Sequence, residues 1–198
     1  MTCLLHVLVA VTLVMLAAVG VGADIPEEEW NKTFGGTNAD YAYSVQQTTD
    51  GGYIIAGGTG GSYGADWCDA WLVKTDSDGN EVWNRTFGGT SSDFACSVQQ
   101  TSDSGYILTG YTFSYGDGSG DAWLVKTDSD GNEVWNRTLG GSAVDYAWSI
   151  QQTSDSGYIL AGKTSGSLVI RVTQPDKSCI QRVPLEVKIC ALEQMFDV

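Results

Sequence analysis

Apolar and polar positions alternate along this chain in short runs, and each run ends in a turn. From Tyr41 to Thr48, Tyr41, Tyr43 and Val45 fall on one side and Ala42, Ser44 and Gln46 on the other. That two-residue period predicts a half-buried strand. Asp50-Gly51-Gly52 predicts a hairpin turn, because glycine accepts positive φ without steric cost. Tyr53 to Gly57 is the returning strand, and a variable Gly/Ser/Tyr loop follows. Asp69 to Asp76 is a third strand, Ser77 to Asn80 a second turn, and Glu81 to Phe87 a fourth strand. Gly88-Gly89 hands the chain to the next unit. No stretch carries a helical period with caps.

The unit repeats. Aligned on Trp30, Trp83 and Trp135, the copies read WNKTFGGTNADYAYSVQQTTDGGYIIAGG, WNRTFGGTSSDFACSVQQTSDSGYILTGY and WNRTLGGSAVDYAWSIQQTSDSGYILAGK, spaced by 53 and 52 residues. A second block, DAWLVKTDSDGNEVWNRT, stands at Asp69–Thr86 and again letter for letter at Asp121–Thr138. Four short strands per repeat of about 52 residues match a β-propeller blade in length and content. The expected fold is therefore all-β, with β-propeller-type four-stranded blades, about three of them, in an incomplete or open ring. Residues 24–163 hold the repeats, divided as 30–82, 83–134 and a partial 135–163.

The motifs W-N-x-T-F-G-G, S-V-Q-Q-T-x-D-G-G-Y-I-L-A-G and D-A-W-L-V-K-T-D-S-D-G-N-x-x-W, over residues 30 to 163, resemble the extracellular β-propeller repeat proteins of archaea and some bacteria. The segment Asp76…Gly79…Trp83 is similar to the Trp-docking turn of pyrroloquinoline-quinone-type propellers. That resemblance implies inter-blade packing for Trp83 and Trp135, not cofactor binding.

After Lys163 the DAWLVKTDSDGN block is replaced by SGSLVIRVTQPDKSCIQRVPLEVKIC. Leu168–Val172, the turn Gln174–Lys177 and Cys179–Val183 still read as strand, turn and strand. Residues 164–198 are thus a divergent tail, either a degraded hairpin or the product of a truncated or frameshifted gene. About three blades are too few for a closed propeller, and open edges invite pairing. The expectation is a fragment of a longer array, or blades completed by self-association.

Composition narrows function mostly by exclusion. The chain has 25 glycines, 3 prolines and 11% aromatic residues, a balance that fits short strands and tight turns. Its net charge is −14, and between Asp24 and Gly162 twenty acidic side chains face five basic ones. Such a surface repels nucleic acid and anionic lipid. Leu4 to Ala23 is an apolar run ending before Asp24, with small residues at Val21 and Ala23. Residues 1–23 read as a secretory signal or an uncleaved membrane anchor, so the protein is expected to be secreted or at the cell surface. Membrane attachment would come only through that leader. Cys68, Cys96, Cys179 and Cys190 follow it, out of register with the repeats. Cys96 occupies the place of Tyr43 and Trp148, which predicts a buried apolar role, and Cys179 with Cys190 is the candidate disulfide.

The only histidine is His6, in the leader. That removes Ser-His-Asp and Cys-His catalysis and histidine zinc sites from the repeats. There is no phosphate loop and no C-x-x-C. Asp76, Asp78 and Asn80, repeated as Asp128, Asp130 and Asn132, alternate oxygen donors about a glycine, as a calcium loop does; the competing reading is a plain turn, since no bidentate glutamate follows. No cofactor is expected beyond that possible Ca²⁺. Asp66 with Asp69, and Asp117 with Asp121, are the carboxylate pairs a glycoside hydrolase would need. Most acidic residues recur with the repeat, which favours structural work. The spacing Gly79 to Trp83 also misses the Asp-box of sialidase-like propellers. Asn31, Asn84 and Asn136 each begin an Asn-x-Thr glycosylation signal. Tyr63, Trp67, Phe113 and Tyr115, in the variable loops, are candidates for stacking on a sugar or gripping a protein, with packing between blades as the alternative. The sequence thus points to a non-catalytic interaction or cell-envelope module whose partner is a protein or glycan. The alternatives are a fragment of a carboxylate-dependent glycan-active enzyme, or a truncated product without independent function.

Overall fold

The computed structural model describes residues 27–61, 67–116, 119–164 and 167–172, the last of these as backbone only. The leader, Tyr63, Asp66, Asp117, Cys179 and Cys190 lie outside the described residues. What is described is all-β and antiparallel. The first sheet runs β1 (Asp40–Gln47), β2 (Tyr53–Gly60), β3 (Cys68–Thr75), β4 (Glu81–Phe87). The second runs β5 (Asp93–Gln100), β6 (Tyr106–Thr112), β7 (Asp121–Thr127), β8 (Glu133–Leu139). The third holds β9 (Tyr146–Gln152), β10 (Tyr158–Lys163) and β11 (Ser167–Val172). In each sheet every strand pairs with its neighbour in sequence, and no sheet closes on itself. The fourth strand matches its expected bounds, whereas the second extends beyond Gly57 to Gly60.

Sheets pack face to face, and each junction has its own core. Ile54, Ala56, Leu72 and Phe87 of the first sheet meet Ala95, Val98, Leu108, Trp123 and Val125 of the second. Ile107, Leu124 and Leu139, on the opposite face of the second sheet, meet Ala147, Ile150, Tyr158 and Leu160 of the third. The second sheet is therefore covered on both faces. That explains the unbroken apolar runs YIL and AWLV in its inner strands, which an alternating, one-sided strand would not show.

The simple alternation expected for the first strand is corrected. A β-bulge interrupts the register between Ala42 and Ser44, between Ala95 and Ser97, and opposite Ala161 and Gly162. Tyr43, Cys96 and Trp148 are the extra residues. A bulge shifts the phase by one, so Ala95 and Val98, three apart, share the buried face, 0% and 6% exposed. Cys96 points away from that core and is only half-buried, contrary to the expectation that it fills an apolar site. The facing residue is glycine each time. A Cβ on Gly57, Gly110 or Gly162 would fall 1.7 to 1.8 Å from the carbonyl oxygen of Tyr41, Phe94 or Tyr146.

Candidate functional site

The recurring polar residues are best followed one structural task at a time. The first strand of each sheet is an edge strand, with alternate N–H groups facing away from its own sheet. In the second and third sheets, side chains of the preceding sheet satisfy them. Val98 N–H donates to Ser44 Oγ (3.2 Å) and Gln100 N–H to Gln46 Oε1 (2.6 Å). One sheet on, Ile150 N–H donates to Ser97 Oγ (3.4 Å) and Gln152 N–H to Gln99 Oε1 (2.6 Å). The S-V-Q-Q motif is thus a zipper between sheets. The last Gln of the motif joins it from the other side, since Gln100 Oε1 accepts from Thr49 N–H and Gln152 Oε1 from Ser102 N–H.

The first hairpin holds a buried lysine. Lys74 Nζ lies 2.9 Å from Asp50 Oδ2 and donates to Thr75 O at 2.7 Å. Its side chain is 6% exposed, against 61% for Asp50. Lys126 and Asp103 repeat the pair at 3.1 Å. Hydrogen bonds from Thr48, then from Lys74, hold the Asp50 carboxyl down at about 2. For Asp103 burial is the largest influence and pushes upward, but donors from Thr101, Lys126 and the Gly105 amide together outweigh it and the net shift is downward.

The second turn uses its carboxylate internally. Asp76 Oδ1 accepts from the amides of Asp78 (3.0 Å) and Asn80 (2.8 Å), and its Oδ2 accepts from Asn80 Nδ2 (3.0 Å). Asn80 Oδ1 accepts from Lys32 Nζ at 3.2 Å. Asp128, Asp130 and Asn132 repeat the turn. Hydrogen bonding from Asn80 and Asn132, foremost, lowers the pKa of Asp76 and Asp128. The carboxylate oxygens of Asp76 and Asp128 are thus engaged by N–H donors of their own turns. Among the described residues no three Asp, Glu, His or Cys side chains gather into a metal-holding group.

The glycine of this turn carries a tryptophan. Gly79 and Gly131 have φ of 75° and 79°. A Cβ on Gly131 would come 2.7 Å from the Trp83 ring, and one on Gly79 2.9 Å from Trp30. Trp83, at the start of the fourth strand of the first sheet, thus lies on the turn of the second and meets Tyr106 edge-on at 5.8 Å. Trp135 meets Tyr158 of the third sheet in the same manner at 6.1 Å.

Between the first and second sheets, at this turn end, opens a cleft of about 390 Å³ lined by Asp50, Lys74, Asp76, Trp83, Gln100 and Tyr106 among others. Its carboxylates sit low, and burial pushes the Tyr106 phenol up to about 12. None of these three groups is poised near neutrality, where a general acid or base works best.

The opposite end of the first strands is aromatic. Tyr41 and Tyr43 stack at 6.1 Å with planes 1° apart, and Tyr146 and Trp148 stack at 6.4 Å and 10°. Tyr111 links Phe94 (5.0 Å), Tyr146 (4.7 Å) and Phe113 (5.8 Å). Tyr41, Tyr43, Phe113 and Trp148 are each about half exposed. Burial pushes the Cys96 and Cys68 thiols up to about 11 and Tyr111 to about 12, so all three stay protonated near pH 7. The rim presents apolar faces and hydroxyls, not nucleophiles.

Of the stacking candidates, Trp67 is exposed, and Phe113 and Tyr115 are partly occupied. Tyr115 Oη donates to Gly88 O at 2.6 Å and packs on Trp123 at 5.6 Å, while Phe113 lies over Gly120. Asn84 and Asn136 stand on the outer strands and donate to Glu81 and Glu133 of the same strand. Asp121 is 2% exposed, at the sheet junction beside Asp145 and Gly140. The sequence reading missed Asp40, Asp93 and Asp145, which accept from the amides of Gly36, Gly89 and Gly141 and hold the inter-sheet link. Their G-x-x-x-D spacing was the available signal. It also missed the exposed Tyr41, Tyr43 and Trp148 and the partly buried Tyr111 and Tyr146 as an aromatic group.

No protein-family model matches the chain, and no curated protein matches it.

Proposed function

We propose that the chain is a non-catalytic interaction or cell-envelope module, secreted or held at the cell surface, whose sheets are blades of the β-propeller type. The observation that carries this reading is the employment of the recurring polar residues. Ser44 and Gln46 satisfy a neighbouring edge, Asp50 holds a buried lysine, and Asp76 holds its own turn. Their second-repeat counterparts do the same. Motif residues spent on scaffolding leave recognition to the variable positions, and those are the half-exposed aromatics of the rim. Aromatic faces with hydroxyl tips suit a sugar ring or an apolar protein patch. The short sequential four-stranded meanders, the glycine turn under a tryptophan and the acidic, histidine-poor composition all support the blade reading. On this view the Asp-x-Asp-Gly-Asn turns are scaffold and not calcium loops, and Asn84 and Asn136 on outer strands, with exposed Asn31 ahead of β1, are positions open to glycosylation.

The glycan-hydrolase alternative has less support, because a carboxylate as deeply buried as Asp121 gives a sugar no access. A panel of cell-envelope polysaccharides tests the choice, with tryptophan fluorescence reporting binding and reducing-end release reporting cleavage. Binding without cleavage, weakened by Trp148→Ala, is the expected result. Release of reducing ends that Asp121→Asn abolishes would overturn the non-catalytic reading.

A further inference from the structure

The interface between sheets is built twice within the chain, and among the described residues each of its two halves is also left bare once. The half that looks back toward a preceding sheet is buried in the second and third sheets: Val98 is 6% exposed, Ile150 7%, and Ala95 and Ala147 0%. In the first sheet the same motif position is Val45, 65% exposed, and the alanine of the motif, Ala42, is exposed too. The half that looks forward is buried in the first two sheets, where Ile54 and Ile107 are 0% exposed. In the third sheet its counterpart, Ile159, is 39% exposed and Ala161 is exposed. The zipper residues follow suit. Ser149 and Gln151, equivalent to Ser97 and Gln99, are exposed. The amides of Val45 and Gln47, equivalent to the capped amides of Val98 and Gln100, lie on the edge of β1 that has no preceding sheet among the described residues.

The strands are left over in the same complementary way. Residues 28–34, EEWNKTF, match the β4 sequence EVWNRTF. Trp30 sits over Gly79 and meets Tyr53 at 5.6 Å, as Trp83 sits over Gly131 and meets Tyr106. The segment therefore lies where the fourth strand of a preceding sheet would lie, yet among the described residues it pairs with no strand. Meanwhile, among the described residues, the third sheet ends at β11, which is paired with β10. In the second sheet Lys126 pairs with Trp135 and Ala122 with Leu139. The β10–β11 register places Arg171 and Ser167 at the Lys126 and Ala122 positions. Transferring that register sets Trp30 opposite Arg171 and Phe34 opposite Ser167.

We propose that a second copy of this chain docks head to tail. The Ala42 and Val45 face of one copy covers the Ile159 and Ala161 face of the other, Ser149 and Gln151 cap the Val45 and Gln47 amides, and residues 30–34 pair with β11 as its fourth strand. The occupant is a second copy because the two bare surfaces are the two halves of one interface that this sequence already forms twice. Such a contact is heterologous and forms a ring where the rotation between copies closes. Two copies bring six sheets, within the range of closed propellers. The inference rests on the blade reading. It is separable from it, because the junctions inside one copy can be tested without any association.

The test is the mass in solution of the secreted protein, measured by light scattering on a sizing column, for the parent, Val45→Glu and Ile159→Glu. Both substitutions fall on exposed side chains and leave the monomer fold intact. The expected parent mass is that of two copies. Each variant alone is expected as a monomer, with self-affinity weakened roughly 100-fold or more by a carboxylate buried against an apolar face. An equimolar mixture of the two variants is expected to regain a two-copy species, because one junction in the mixed pair is then unaltered. A parent that stays monomeric up to about 100 µM would overturn the proposal, and is the result if the tail face is covered by another partner. A parent pair disrupted by only one of the two variants would be head to head or tail to tail, and would also overturn it.

Discussion

Replacing Asp50 by asparagine isolates one structural cause, the charge that faces a buried ammonium. Lys74 is 6% exposed, and its Nζ reaches three acceptor oxygens, Asp50 Oδ2 at 2.9 Å, Asp50 Oδ1 at 3.1 Å and Thr75 O at 2.7 Å. Asp50→Asn keeps the shape and removes the only charged partner among these acceptors. Breaking a fully buried pair costs about 3–5 kcal/mol. Asp50 is 61% exposed, so water still reaches its side of the pair and the expected loss is about 1–2 kcal/mol at pH 7. The acid limb gives a second reading. The Asp50 carboxyl is lowered from 3.8 to about 2 by hydrogen bonds from Thr48 and then Lys74. A lowered carboxyl stabilises the fold above its unfolded pKa, and that stability disappears as pH falls from about 4 through about 2. At about 1.4 kcal/mol per pH unit, an isolated group would lose about 2.5 kcal/mol over this interval, and solvent screening of so exposed a carboxylate reduces that to about 1 kcal/mol. Urea denaturation of parent and variant at pH 7 and at pH 2 to 4 measures both. The variant is expected to start lower and to fall less steeply in acid. Equal stability at pH 7 together with an unchanged acid limb would refute the reasoning, and Asp103→Asn should behave alike through Lys126.

Other substitutions probe the turns and the bulge. Gly110→Ala places a Cβ 1.8 Å from the Phe94 carbonyl oxygen, so the bulge must open, and a loss of about 3 kcal/mol in chemical denaturation is expected. Ser104→Gly relieves a residue held at φ 67°, where a side chain costs about 1–2 kcal/mol. After the entropy of the glycine is counted, a gain of about 0.5 kcal/mol is expected, visible as a small rise in Tm. Millimolar calcium should leave the Tm unchanged, because the oxygens of Asp76 are already engaged by N–H groups. A rise that Asp76→Ala with Asp128→Ala abolishes would show that the turns bind the ion.

Sequence and structure agree where a feature is local or repeated. The four-strand unit, both turns and the bounds of the fourth strand follow from period, glycine and spacing alone. The misses share a different physics. The bulge at Tyr43, Cys96 and Trp148 is fixed by a glycine on the facing strand against a backbone carbonyl, and strict alternation across one strand carries no trace of that contact. Without the bulge Cys96 would share the face of Val98; with it, Ala95 takes that place. Lys74 and Lys126 look like surface residues until the hairpin aspartate folds over them. Ser44 and Gln46 look like ordinary outward strand residues, since their partners are amides some 54 residues away. The aromatic rim was invisible for the same reason. Tyr111 and Tyr146 lie on separate sheets and meet only when those sheets stack.

Stacked sheets zipped through the S-V-Q-Q motif are the basis of both the functional reading and the proposed association. Residue-resolved amide hydrogen exchange tests that stacking most directly. The amides of Val98, Gln100, Ile150 and Gln152 should be as strongly protected as the central strands, and Ser44→Ala with Gln46→Ala should speed exchange at Val98 and Gln100 while leaving Ile150 and Gln152 slow. Rapid exchange at all four amides in the parent protein would contradict the stack.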